Sequence, residues 1–213
     1  MKKAICNVFF AGLMAAAANA GAIADLYNTG VSSGGTALVG GQGTVDPHWT
    51  LLSGPGAATG PAQTYYNPAY FADSPTSRWI SVNGAGATAF SGVYVFETIF
   101  TIGSGFNPAT ASVGVNCAVD NGLVDVTLNG NTVTSSCNGW NSTFAAANFN
   151  IVSGFVSGAN SLRFTVVDFS QPMAFRAEFT SNVNPVSGVP EPSTIGMLGL
   201  AAFGLGWMKR RQS

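Results

Sequence analysis

Between residues 111 and 135 apolar and polar residues alternate so regularly that a helix cannot use the pattern. Val113, Val115, Cys117 and Val119 fall on one face of a period-2 ladder, and Ser112, Gly114, Asn116 and Ala118 fall on the other. Asp120-Asn121-Gly122 then reads as a hairpin turn. The next run, Leu123 to Leu128, points Val124, Val126 and Leu128 inward and Asp125 and Thr127 outward. Asn129-Gly130 supplies the two residues that tolerate positive φ in a tight turn, and Thr132–Thr134 returns. The spacing predicts a three-stranded meander.

Other segments extend the same theme. Gly92 to Ile102 (GVYVFETIFTI) is β-branched, aromatic and free of proline, and is expected as a central strand packed on both sides. Glu97 interrupts it, and a buried carboxylate needs a partner: Arg163, Arg176 or a metal ion. Leu162, Phe164, Val166 and Asp168 share one face of a later strand. Met173, Phe175, Ala177 and Phe179 point inward from the next, with Arg176 and Glu178 outward. Shorter strands are predicted at 37–39, 49–52 and 79–82. Strands at short spacing with Gly and Asn turns and no helical period predict an all-β fold, an antiparallel β-sandwich of the jelly-roll kind with about eight strands.

The ends of the chain differ from the middle. Lys2 and Lys3 followed by the apolar run 5–18 form an export signal, and residues 1–24 are expected to leave with it. Ala18-Asn19-Ala20 and Ala22-Ile23-Ala24 both have the small-residue cleavage pattern; the later bond, after Ala24, is the expected one. The β-sandwich is expected over 25–180 and a polar linker over 181–188. From 189 onward three parts follow in order. Val189-Pro190-Glu191-Pro192 is held extended by its prolines. An apolar helix is expected over 194–208, and Lys209-Arg210-Arg211 forms a basic stop. The apolar run is short for a permanent span, which wants about 20 residues. Its four glycines weaken it further.

This tail resembles the PEP-CTERM sorting signal of Gram-negative bacteria, on Val189-Pro190-Glu191-Pro192, the Gly/Leu/Ala-rich run through Trp207, and Lys209-Arg210-Arg211. The resemblance implies recognition by an exosortase in the inner membrane, transient anchoring there and removal of the tail. Delivery to the cell surface or an extracellular biofilm matrix follows. The second half of the middle region is similar to galactose-binding-like domains and carbohydrate-binding modules. Val126, Leu128, Asn129 and Gly130, then Gly158, Asn160 and Leu162, carry that similarity. The first half departs from it, so no ligand residue is carried over.

Charge narrows the partners. Only 8% of residues are charged, against about 25% in ordinary soluble domains. From Asp25 to Val189 there is no lysine, and three arginines face eight carboxylates, a net of −5. Nucleic acid is excluded as a partner, because no basic stripe exists to neutralise phosphates. Carboxylates and carbonyls are plentiful enough for a structural Ca²⁺ at a sandwich edge, but no pattern predicts one, and no cofactor is expected.

Candidate residues are few. Cys6 departs with the export signal. Cys117 and Cys137 remain for an oxidising compartment and are expected as a disulfide, a lone pair without His or Cys neighbours being a poor metal site. Tyr65, Tyr66 and Tyr70, with Trp140 beyond the second cysteine, are candidate sugar-stacking contacts. Their alternative is to plug a loop or cap the sandwich. Asn141-Ser142-Thr143 matches a glycosylation sequon by pattern only. Gly30-Val31-Ser32-Ser33-Gly34 satisfies G-x-S-x-G, but no helix follows to make a nucleophile elbow. Gly84–Ala89 resembles a dinucleotide fingerprint without its βαβ unit and is set aside. His48, the lone histidine, is read as a surface or turn residue. The functional expectation is a non-enzymatic, exosortase-processed surface or matrix protein whose sandwich binds exopolysaccharide. The alternatives are a purely structural or adhesive coat protein, and a glycan-cleaving enzyme drawing on Glu97, Asp120, Asp168 or Glu178.

Overall fold

The architecture is given by a computed structural model, which describes residues 20–82, 90–144 and 147–186. Among the described residues eleven strands form one hydrogen-bonded sheet: β1 (Val45–Ser53), β2 (Gly60–Thr64), β3 (Ile80–Ser81), β4 (Gly92–Ile102), β5 (Ser112–Asp120), β6 (Gly122–Leu128), β7 (Asn131–Val133), β8 (Asn138–Gly139), β9 (Phe149–Ile151), β10 (Gly158–Asp168) and β11 (Ala174–Asn182). The order is β7-β6-β10-β4-β1-β2-β3-β11-β5-β8, with β9 also on β5. Four of the eleven strands are only two or three residues long; of these β3 and β7 fall on segments expected as strands, whereas β8 and β9, like β2, carry no strand expectation. The fold is all-β, as the alternation predicts, and the sheet curls into a half-barrel.

The curl brings two arms face to face. One arm is β6-β10-β4-β1; the other is β11-β5; the short pair β2-β3 carries the hydrogen bonding around between them. Phe175 of β11 meets Phe164 of β10 at 4.8 Å, Trp49 of β1 at 5.4 Å and Phe96 of β4 at 5.6 Å between ring centroids. These rings, with the inward Val113, Val115, Cys117 and Val119, build the main core. Period-2 alternation makes this arrangement, since each strand donates every second side chain to one interior.

Four sequence expectations change. β5 and β6 do not pair: β5 bonds β11, β8 and β9, whereas β6 bonds β10 and β7. Asp120-Asn121-Gly122 is therefore a crossing between the arms, and only the β6–β7 hairpin survives of the predicted meander. Val124 is 56% exposed because it is the extra residue in a bulge, where Asp125 pairs Thr165 and Leu123 pairs the adjacent Val166. Leu123 packs on the core in its place. β4 is central in the sheet but covered on one face only, with Val93 and Ile99 about half exposed on the other. Segment 37–39 forms no strand, only an isolated bridge from Ala37 to Val31.

The folded unit runs from Ala20 to Pro185 and so exceeds the expected 25–180 at both ends. β11 keeps its register with β5 to Asn182, and Val183 bridges Gly21. The sorting tail from 189, with its apolar run and basic stop, and the export run 1–19 lie outside the described residues. Among the described residues no helix is long and apolar enough to cross a membrane.

Candidate functional site

The outward face of β5 and β11 carries a second, smaller core. At the crossing points the sequence places Ala118 and Ala174, whose small side chains leave room for rings. The loop from Tyr65 to Trp79 lies over them. Tyr70 meets Trp79 at 4.8 Å and Tyr65 at 5.9 Å, Phe71 meets Trp79 and Phe144 at 5.1 Å each, and Trp140 leans on Tyr70 at 5.7 Å. Tyr65 and Tyr70 are buried in this annex, so neither offers a ring to a ligand. That is the loop-plugging alternative rather than the sugar-stacking one. Tyr66, its neighbour, points the opposite way and is 61% exposed; Trp140 is half-buried.

Arg176 is fixed beneath the same loop. Its parity is outward, as expected, yet it is 2% exposed because the annex covers it. Nε donates to Ser77 Oγ at 2.7 Å, one terminal nitrogen to the Ala72 carbonyl at 2.7 Å and the other to Glu178 Oε1 at 3.2 Å. The guanidinium also lies 4.8 Å from the Phe71 ring and 5.2 Å from the Phe144 ring. Burial lowers its pKa, opposed by the Glu178 charge.

The structure brings together two of the four carboxylates considered for glycan cleavage. Asp120 closes β5 and Asp168 closes β10, and Asp168 feels the Asp120 charge. Tyr70 donates its hydroxyl to Asp120 Oδ2 at 2.6 Å, and Asn121 donates its amide to Oδ1 at 2.7 Å. Asp168 Oδ1 accepts from the Ser170 backbone at 3.2 Å, while its Oδ2 is buried without a hydrogen-bond partner. Burial raises both pKa values; the Tyr70 hydrogen bond opposes it at Asp120, and the Asp120 charge adds to it at Asp168. They are 4% and 1% exposed, so neither reaches solvent where a sugar would lie. Glu97 pairs with Arg163 at 2.9 Å and accepts from Ser161 at 2.6 Å, the arginine that the sequence offered as partner. Glu178 is held by Arg176, Ser74 and Ser77. No cluster of three or more metal-ligating side chains occurs among the described residues.

The hydrolase-like features do not assemble. Gly30 sits at φ +67 under Arg78, where a Cβ would come within 2.5 Å of the Arg78 Cβ. Ser32 Oγ accepts from Gly34 N at 3.3 Å in a local turn, with no helix behind it. His48 stacks on Tyr27 at 3.7 Å. Asp46 accepts from the backbone of Gly30 at 2.6 Å and of His48 at 2.8 Å, so its carboxylate does not orient the imidazole. The Gly84–Ala89 stretch lies outside the described residues.

Cys117 and Cys137 form the expected disulfide. Two further exposed rings were not singled out by sequence: Phe90 at 66% and Phe169 at 73%. Both sit at one end of the β4–β10 pair, where Ser91 Oγ donates to the Phe169 carbonyl at 3.0 Å. Parity was the available signal at Phe169, since it follows the inward series 162, 164, 166, 168.

Comparison with known proteins adds one finding at the far end of the chain. Residues 188–211 match the PEP-CTERM protein-sorting motif. No curated protein and no solved structure matches the chain, so the likeness to carbohydrate-binding modules stays unsupported. The match spans the rigid tetrapeptide, the apolar run and the basic stop together. This chain carries a PEP-CTERM sorting motif, which indicates an exported protein sorted by an exosortase.

Proposed function

We propose that the protein is a non-enzymatic component of the cell surface or extracellular matrix, released from a transient membrane anchor, whose β body binds exopolysaccharide. The observation that carries the reading is the sorting motif at 188–211 behind a β body of very low charge. The N-terminal export signal belongs to the same reading. A non-enzymatic role is supported by the carboxylates. Glycoside cleavage needs two of them roughly 5–10 Å apart across an accessible cleft, whereas Asp120 and Asp168 are buried and Glu97 and Glu178 are ion-paired.

For the ligand, the favoured contact is Tyr66 with the half-buried Trp140. Tyr66 follows the buried Tyr65 in sequence, and the Trp140 carbonyl accepts from Phe71 N at 3.2 Å. The amides of Asn67 and Asn141 lie beside them in sequence. A rigid ring whose face is free can stack on the C–H face of a sugar, and fixing it beforehand lowers the ordering cost of binding. The test is binding of the processed protein to the producing cell's own polysaccharide. Tyr66→Ala is expected to weaken binding roughly fivefold or more, about 1 kcal/mol, without changing Tm. No binding by the unmodified protein would leave a purely structural coat role.

A further inference from the structure

The sequence offers two leader-cleavage bonds four residues apart, and the folded body treats them differently. Gly21 N donates to the Val183 carbonyl at 3.0 Å, and Val183 N donates to the Gly21 carbonyl at 2.9 Å. Ile23 N donates to Ser181 Oγ at 3.0 Å, and its side chain is 5% exposed within the main core. Val183, opposite, is 2% exposed. Ala20, by contrast, is exposed and outside any strand. The same region closes the other end of the body: Asn107 N donates to the Asn184 carbonyl at 2.8 Å, and Phe106 bridges Pro185. The chain therefore enters and leaves the body at one place, and 21–23 is the strap across it.

Cleavage after Ala24 would remove that strap. The buried Val183 would lose both backbone partners, and the core would lose a fully packed isoleucine. We propose that the mature chain begins at Gly21, from hydrolysis of the Ala20–Gly21 bond at the Ala18-Asn19-Ala20 site. The hydroxyl of water joins the Ala20 carbonyl carbon, the C–N bond breaks, and the proton goes to the Gly21 nitrogen. The new Gly21 ammonium still carries a donor for the Val183 carbonyl, now charge-assisted. Export thus leaves the strap intact and adds a charge to it. This inference rests on the export reading above.

The experiment uses the full chain, expressed in an exosortase-bearing Gram-negative host, with N-terminal sequencing of the protein recovered outside the inner membrane. A start at Gly21 is expected. A start at Asp25 or at any other residue past the leader overturns the inference and leaves the export reading standing. A protein that retains Met1 overturns both. The strap has its own readout in the same full chain. Ile23→Ala should lower the Tm of the exported product by about 10 °C, and Ile23→Val by a few degrees. An unchanged Tm in both variants overturns the strap.

Discussion

At the scale of single residues, outward parity and solvent exposure are different things. Arg176 points away from the main core just as its place in the alternation demands, yet it is buried because a loop lies over it. Its five donors are what make that burial tolerable: a guanidinium can be satisfied by a carboxylate, a hydroxyl and a carbonyl at once. Asp46 is the opposite case. It is 1% exposed and has no cation, only backbone N–H donors, and burial lifts its pKa to about 6 despite them. The unfolded chain has the ordinary value near 4. Between those values the folded state holds the proton more tightly, so stability is full below about pH 4 and falls as pH rises to about 6. Denaturant midpoints measured from pH 3.5 to 7 should show this decline, with Asp46 contributing up to about 3 kcal/mol. Asp120 and Asp168, also raised by burial, push the same way. Asp46→Asn should start less stable, because its NH₂ faces a backbone donor, but should lose less across that window. A difference between the two proteins that stays constant with pH would show that Asp46 does not titrate there.

At the scale of elements, the open edge of β5 explains why the segment after β7 is built as it is. β8 pairs parallel with β5 at Ala118 and Val119, and β9 pairs antiparallel at Val113, Gly114 and Val115. Between them Asn148 completes the edge: its Oδ1 accepts from Cys117 N at 2.7 Å and its own N–H donates to the Val115 carbonyl at 2.7 Å. An edge that would otherwise offer a row of free backbone groups is covered. The Cys117–Cys137 bond ties the start of this arm to the strand it covers. With the cysteines 20 positions apart in sequence, losing the bond should cost about 3 kcal/mol. Cys137→Ser should therefore lower Tm by about 6–12 °C, and reductant should do the same to the unmodified protein but not to the variant. If reductant shifts both equally, the bond is not the cause. The strands of this fold were largely legible, because 92–102, 112–128, 158–168 and 174–182 are long enough for parity to show. Pairing was less so. Nothing local distinguishes a hairpin at Asp120-Asn121-Gly122 from a crossing between arms, and a two-residue strand such as β8 exists only because β5 is there to receive it. At the candidate site, aromatic composition located the annex, but it could not separate buried Tyr65 and Tyr70 from exposed Tyr66.

At the scale of the whole molecule, the body and the tail follow different physics. The body is a β fold whose ends meet at one place, with the strap at Gly21 and Val183. The tail from 189 carries a Val-Pro-Glu-Pro segment, an apolar run and a basic stop. Its motif is complete in the match at 188–211. A run this short and glycine-rich is expected to hold a lipid bilayer weakly, with Lys209, Arg210 and Arg211 on the cytoplasmic side. Such an anchor suits a substrate that waits for cleavage rather than one that resides in the membrane. Intact mass should therefore differ between two hosts. With exosortase present, the protein outside the inner membrane should lack everything from near Val189 onward and should be lighter by two hydrogens at the cysteine pair. Without exosortase, the chain should end at Ser213 and fractionate with the inner membrane. Replacing Pro190 and Pro192 by alanine should give the second result even with exosortase present, because no proline would then keep the cleavage segment extended. A protein that reaches the surface still carrying Ser213 would mean that the tail anchors rather than sorts, and the matrix role would lose its support.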